Sequence, residues 1–302
     1  MPFVRPPRIR PGDVVAIVAP SGPVREADLQ PGLDRLGQRY SLRCDPRLRA
    51  RTGHLAGGDD DRLDSLRGAL ADPDVRAIVA ARGGYGVTRI LPLLDVSGLR
   101  DAPKVVVGSS DLTALSCLLA RDGIASVHGP MVETLGRVPD PEVFERFVQV
   151  LEDPAPIDDS SLALEGIRPG RAAGPVLGGN LSLLAALVGT GTLPDFSGAI
   201  LFVEDVGERP YRIDRMLTQM LSANVVHGLA GVLVGDLTDC TPRDGEPPAI
   251  EVIAERLGPL GIPIVAGYPA GHGARFLAIP IGARAEIDGD AGTVRWMEGA
   301  VT

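Results

Sequence analysis

Between residues 14 and 151 short runs of β-branched and small apolar residues alternate with segments whose apolar positions recur every three or four residues. The runs 14–19, 77–81, 105–107 and 125–127 read as strands, and 29–37, 61–70, 113–120 and 141–151 as helices. Such alternation predicts a parallel sheet with helices on both faces, whose binding crevice lies beyond the carboxyl ends of the strands. Three of these strands run into Pro20-Ser21-Gly22, Arg82-Gly83-Gly84-Tyr85-Gly86 and Gly108-Ser109-Ser110-Asp111. The three turns are therefore expected on one rim.

The pattern breaks at 152–174, where the text is rich in Pro, Asp and Gly and holds no helical period. It predicts an N-terminal α/β domain over 1–155, a linker over 156–173 and a C-terminal domain over 174–302. The last opens with Gly178-Gly179-Asn180 before an apolar helix at 181–188. A strand at 199–203 then stops at Glu204-Asp205, a helix follows at 211–221, and a strand at 231–234. Short strands at 262–266, 278–281 and 283–287 close the chain.

The sequence has 302 residues, 44% of them hydrophobic and 23% charged, enough apolar content for two such cores. Its net charge is −9, and of 30 basic residues only Lys104 is a lysine. The arginines are scattered singly, with no basic stripe for nucleic acid. Schiff-base, pyridoxal or Walker-type chemistry would have to rest on Lys104, which just precedes a buried strand. Cys44, Cys117 and Cys240 are too widely spaced for a disulfide framework, and no apolar run reaches spanning length without Gly, Pro or charge. A reducing cytoplasm without membrane attachment is the expected setting. No His-Glu-x-x-His, zinc spacing, GxGxxG or GxxxxGK[ST] occurs, so neither a metal nor another cofactor is expected.

Gly108-Ser109-Ser110-Asp111 sits between an apolar strand and a helix. A sharp strand-turn-helix elbow lifts a serine hydroxyl out of a sheet and aims the first free helix N–H groups at a developing oxyanion. The Gly-x-Ser-x spacing selects Ser110 over Ser109; the plainer alternative is a helix-capping serine. Among the four histidines, His272 lies between glycines after a strand, and His128 in Val127-His128-Gly129-Pro130 is the competing base. His54 and His227 lie in polar connecting segments and read as surface residues. A Ser–His pair needs a third group to fix the imidazole tautomer. Glu204 at a strand end is the candidate, with Asp205 and Glu208 as neighbours; otherwise Glu204 pairs with Arg209 or Arg212. The glycine-rich turn at 82–86 can offer a backbone N–H to an oxyanion, with Asp111 N–H as its partner.

Taken in order, Pro20-Ser21-Gly22, Arg82-Gly83-Gly84-Tyr85-Gly86, Gly108-Ser109-Ser110-Asp111, His128-Gly129-Pro130, Gly178-Gly179-Asn180, Glu204-Asp205-Val206-Gly207-Glu208 with Pro210-Tyr211-Arg212, and Gly271-His272-Gly273 resemble the LD-carboxypeptidase family of serine peptidases. The resemblance covers nearly the whole chain. It implies a flavodoxin-like N-terminal domain of the class I glutamine-amidotransferase kind and a C-terminal swivelling β/β/α domain. It further implies a triad of Ser110, Glu204 and His272, oxyanion amides at Gly84 and Asp111, no cofactor, and a homodimer. The implied reaction removes terminal D-alanine from cytoplasmic murein tetrapeptides in cell-wall recycling. The family's aromatic residue before the nucleophile is Ser109 here, which bears on pocket shape. Arg82 is the candidate for reading the substrate carboxylate, with Tyr85 beside it on the rim.

Two other readings stand beside this one. A peptidase similar to the microcin-C immunity proteins would cleave peptidyl- or aminoacyl-nucleotides; a non-catalytic protein would hold a small ligand in the glycine-rich rim. A nucleotide needs aromatic partners, and the chain has one tryptophan, Trp296, with Tyr85, Tyr211 and Phe276 as the other candidates.

Overall fold

The computed structural model describes residues 2–302. Five parallel strands, β1 (Val14–Val18), β2 (Ser41–Cys44), β3 (Val75–Ala80), β4 (Val105–Gly108) and β5 (Ser126–His128), lie in the order β5-β4-β3-β1-β2. Helices α1 (Glu26–Gly37), α2 (Asp59–Ala71), α3 (Val87–Ile90), α4 (Thr113–Arg121), α5 (Val132–Arg137) and α6 (Pro141–Glu152) connect and cover them. Every residue of β4 and all of β3 except Arg76 are buried, which is why 105–107 and 77–80 read as unbroken apolar runs while the start of β3 does not. β2 is an edge strand, largely exposed, and its SLRC carries too little apolar character to be read. Lys104 Nζ donates to the carbonyl oxygens of Ala69 (3.2 Å) and Asp72 at the end of α2, so the single lysine holds a helix terminus.

The second sheet is built from β6 (Glu165–Arg168), β7 (Arg171–Asn180), β8 (Ile200–Val206), β9 (Gly231–Thr238), β10 (Ile264–Ala266), β12 (Arg284–Asp288) and β13 (Thr293–Trp296). Their order is β13-β12-β7-β8-β9-β10-β6, with β7 to β10 parallel and the outer strands antiparallel. Helices α7 (Leu181–Ala186), α8 (Pro210–Ser222) and α9 (Ala249–Leu257) accompany it.

Two features differ from the division expected along the chain. The segment 156–173 is more than a linker, since it contains β6 and the start of β7. It is also pinned by a buried carboxylate, Asp159, which pairs with Arg146 and accepts from Tyr268 Oη at 2.5 Å and Trp296 Nε1 at 2.8 Å. In addition β11 (Ile279–Ile281), late in the chain, joins the first sheet antiparallel to β5, with Ile279 opposite His128. A hydrophobic run carries no information about which sheet edge it will pair with, so this return was unreadable.

The halves also dock at the start of α4. Asn180 N–H donates to Thr113 Oγ1 at 3.0 Å, and a Cβ at Gly179 would stand 2.6 Å from that oxygen. The glycine before Asn180 is what lets the end of β7 reach the first turn of α4.

Candidate active site

Ser110 follows β4 with φ +58, the left-handed region that a side chain with a Cβ enters at a cost of about 1–3 kcal/mol. It opens a short 3₁₀ turn (Ser110–Leu112) that runs into α4. The elbow expected from the sequence is therefore present, with its strain at the serine. Thr113 N–H bonds back to the Ser110 and Asp111 carbonyls and Leu112 N–H to Ser109 O, whereas Asp111 N–H lies in the first turn, where helical geometry supplies no internal acceptor.

The glycine-rich turn comes against this elbow. A Cβ on Gly83 would lie 2.9 Å from Ser110 Cβ and 3.0 Å from its Oγ, so no larger residue fits without displacing the serine. Gly83 O accepts from Gly22 N–H at 3.1 Å. In a trans peptide the next N–H points the opposite way, so Gly84 N–H is directed away from Gly22. The Asp111 carboxylate, buried with its pKa raised chiefly by that burial, accepts from Val87 N–H at 2.9 Å. It ties the end of the glycine turn to the elbow, a role for its side chain beyond the expected one for its amide.

The second half supplies an imidazole and its partner. Glu204, fully buried on β8, meets His272 Nδ1 with Oε2 at 2.8 Å, while its Oε1 has no partner among the described residues. Burial pulls the His272 pKa down, but the bond to Glu204 and the nearby charges of Glu204, Asp205 and Asp236 outweigh it, and the net shift is upward from 6.5. Asp236 also accepts from Gly273 N–H at 3.2 Å, holding the loop that carries the histidine. A carboxylate on Nδ1 leaves Nε2 as the nitrogen available to a substrate or serine.

A cavity of about 120 Å³ is lined by Ser109, Ser110, Gly83, Gly84, Arg82, Gly271, His272, Gly273 and Phe276. Arg25, Met131, Glu133, Thr134 and Arg137 complete its wall. Ser110 and His272 face the same space without a direct hydrogen bond among the described residues, a looseness common before substrate binds.

The competing candidates fall elsewhere. His128 is buried between Phe202 and Phe276, with ring centroids 5.1 and 5.4 Å away. Its Nε2 is unpartnered among the described residues, and burial first, then the charge of His272, pushes its pKa down to about 3. Asp205 points from the opposite face of β8 and accepts from Asn180 Nδ2, Ser182 N–H and Val206 N–H. Burial raises its pKa to about 6. Glu208 pairs with Arg212 at 3.4 Å, and Arg209 pairs with Glu246, so neither arginine claims Glu204.

Arg82 lines the cavity, but its Nη1 donates to Pro23 O at 2.9 Å. Tyr85 is not among the lining residues; it is half exposed and packs against His54, 5.7 Å between centroids. Trp296 is buried on Asp159, and Tyr211 is exposed among Arg209, Arg212 and Arg215. Phe276 is the aromatic side chain that reaches the cavity.

Sequence reasoning missed Arg25, Glu133, Thr134 and Arg137. The last three belong to α5, a six-residue helix placed after Pro130 and interrupted by Gly136, too short for a readable period. The strand-end rule held a signal all the same, since α5 starts four residues beyond the end of β5.

Comparison with known proteins gives a consistent picture. Residues 15–129 match the LD-carboxypeptidase N-terminal domain family and residues 173–287 the LD-carboxypeptidase C-terminal domain family. The chain is 33% identical over 294 residues to the murein tetrapeptide carboxypeptidase of Pseudomonas aeruginosa, covering 93% of this chain and 94% of that one. The crystal structure of muramoyltetrapeptide carboxypeptidase from Oxalobacter formigenes superposes with a TM-score of 0.82 at 30% identity, over 95% of this chain and 98% of that one. The fold is shared also with MccF in complex with glutamyl sulfamoyl guanosine, at TM-score 0.88 and 21% identity over 99% of each chain.

Proposed function

The chain belongs to the LD-carboxypeptidase family of serine peptidases, and on that premise we propose that it releases terminal D-alanine from murein tetrapeptides through Ser110, His272 and Glu204. One observation carries the reading. A serine held at positive φ on a strand-helix elbow shares a cavity with an imidazole whose far nitrogen is fixed by a buried carboxylate.

In the proposed reaction Ser110 Oγ attacks the carbonyl of the bond between the L-configured third residue centre and D-alanine. His272 Nε2 takes the hydroxyl proton, and Glu204 stabilises the imidazolium through Nδ1. Gly84 N–H and Asp111 N–H receive the oxyanion; one such donor is worth about 2.7–4 kcal/mol in the transition state. Collapse breaks the C–N bond as His272 passes its proton to the leaving amine, and D-alanine departs. Water, deprotonated by His272, then cleaves the acyl-enzyme, restoring Ser110 and leaving a tripeptide with a new carboxylate. We place this reaction in cytoplasmic cell-wall recycling, carried out by a homodimer, as the family resemblance implies.

The alternative substrate is an aminoacyl-nucleotide, the class represented by the ligand in the MccF complex. A base needs a stacking surface, and here Phe276 is the aromatic residue on the cavity while Trp296 is held by Asp159. That favours the peptide. The test is product analysis after incubation with L-Ala-γ-D-Glu-meso-diaminopimelate-D-Ala and, separately, with an aminoacyl sulfamoyl adenosine. D-Alanine release at much the higher kcat/KM supports the reading; preference for the adenylate overturns it. Failure of a fluorophosphonate to label Ser110 would reject catalysis by this serine.

A further inference from the structure

One wall of the cavity is the face of α5 that carries Glu133, Thr134 and Arg137. Spacings of three and four residues place all three side chains on one side of a helix. Their electrostatic situations differ. Glu133 is buried and already met by Arg25, through its backbone N–H and its Nε at 3.2 Å, with Arg82 Nε 4.0 Å away. Arg25 Nε also faces Asp28 at 3.3 Å, and Arg82 is engaged with Pro23 O. Arg137 makes neither a hydrogen bond nor an ion pair among the described residues, although it lines the cavity.

The backbone beneath it is fixed. Arg35 donates to the carbonyls of Leu135 at 3.3 Å and Val138 at 2.9 Å, on either side of Arg137. Gly136 lies so close to α1 that a Cβ there would stand 1.9 Å from Asp28 O. A free guanidinium on a rigid short helix can engage an anion without first breaking an internal pair. Its planar fork suits a carboxylate. The lining holds three arginines and one glutamate, a local positive excess in a chain of net charge −9.

We propose that Arg137, assisted by the Thr134 hydroxyl, is the subsite that reads the free α-carboxylate of the leaving C-terminal residue. The assignment rests on the peptidase reading above and moves the expected contact from Arg82 to a residue the sequence did not single out. It explains how the site distinguishes a chain end from an internal peptide bond: the fork is satisfied when a carboxylate follows the scissile bond directly.

The experiment compares the tetrapeptide ending in D-alanine with its C-terminal carboxamide, on the unaltered protein, Arg137→Gln and Arg137→Lys. Loss of a charge-assisted fork predicts a drop in kcat/KM of about ten- to hundredfold for Arg137→Gln on the free acid, mostly through KM. The carboxamide should change by less than about twofold, and Arg137→Lys, which keeps the charge without the fork, should fall between. Equal losses on acid and carboxamide, or no loss on either, overturn the assignment. Fluorophosphonate labelling of Ser110 in the same preparations separates the two levels. Labelling intact in every variant with equal losses strikes Arg137 alone, whereas no labelling and no D-alanine release from the unaltered protein strikes the peptidase reading and this subsite with it.

Discussion

Replacing Glu204 by Gln tests the electrostatic centre of the site. The carboxylate is fully buried and its Oε2 lies 2.8 Å from His272 Nδ1, so an imidazolium formed during attack stands beside a buried negative charge. Two unit charges with centres roughly 4 Å apart, at an effective dielectric of about 20, attract by about 4 kcal/mol. At about 1.36 kcal/mol per decade this is close to a thousandfold in rate. The amide can also donate to Nδ1 and favour the tautomer that carries its proton on Nε2, where the base must be free, extending the expected loss toward about 10⁴. The residual rate should still exceed that of Ser110→Ala, because the nucleophile and oxyanion donors remain. A second readout follows from the sign of the His272 shift. The carboxylates raise its pKa above 6.5, so activity in the native protein is lost as pH falls through that raised value and the imidazole becomes charged. Removing one carboxylate lowers the pKa, so the acid limb of kcat/KM should move to lower pH while the plateau falls. The assay is the pH dependence of D-alanine release from pH 5 to 9. A loss below about tenfold, or an acid limb that stays put or moves upward, would refute the reasoning.

Ser110→Ala and His272→Ala should each abolish turnover with the fold intact by circular dichroism, and the double variant should be no worse; near wild-type turnover in His272→Ala with an inactive His128→Ala would transfer the base to His128. His128 itself should act on stability. Its folded pKa of about 3 lies below the ordinary 6.5, so its contribution is complete above pH 6.5 and is lost as pH falls toward 3, by roughly 5 kcal/mol at most. In urea titrations His128→Leu should therefore show a shallower fall between pH 6.5 and 4 than the native chain, and parallel curves would contradict this. Gly179→Ala forces a Cβ to 2.6 Å from Thr113 Oγ1, and should cost about 1–3 kcal/mol of stability and lower kcat by loosening the docking that sets Ser110 against His272; unchanged stability and rate would show that this contact is not needed. Exhaustive chelation should leave activity unchanged, and loss with recovery on added zinc would reject the serine mechanism.

The sequence by itself determined the parts that depend on local physics. Apolar runs at 14–18, 77–80 and 105–107 marked β1, most of β3 and β4, because strands buried on both faces need apolar residues at nearly every position; in β3 the exposed Arg76 interrupts the run. The elbow at Ser110 was legible because a strand, a Gly-containing turn and a helix adjoin within a few residues; Glu204 was expected where a strand stops, but β8 runs on to Val206 and holds it inside the sheet, and His272 lies in the loop beyond β10. Short or edge elements were not: β2 has no buried residue and little apolar content, and α5 is less than two turns. Pairing between distant segments was equally hidden, as in the return of β11 to β5 and the burial of Asp159 by Arg146, Tyr268 and Trp296. Choosing between His128 and His272 also required tertiary structure. Both end or follow a strand, and only packing shows that one is sealed between Phe202 and Phe276 while the other reaches the cavity beside Glu204. The same holds for the arginines: which guanidinium is already paired and which remains available depends on neighbours a hundred residues away. Chain order records local turns and periods; the desolvation and charge pairing that give a side chain its chemistry arise only when the two sheets meet.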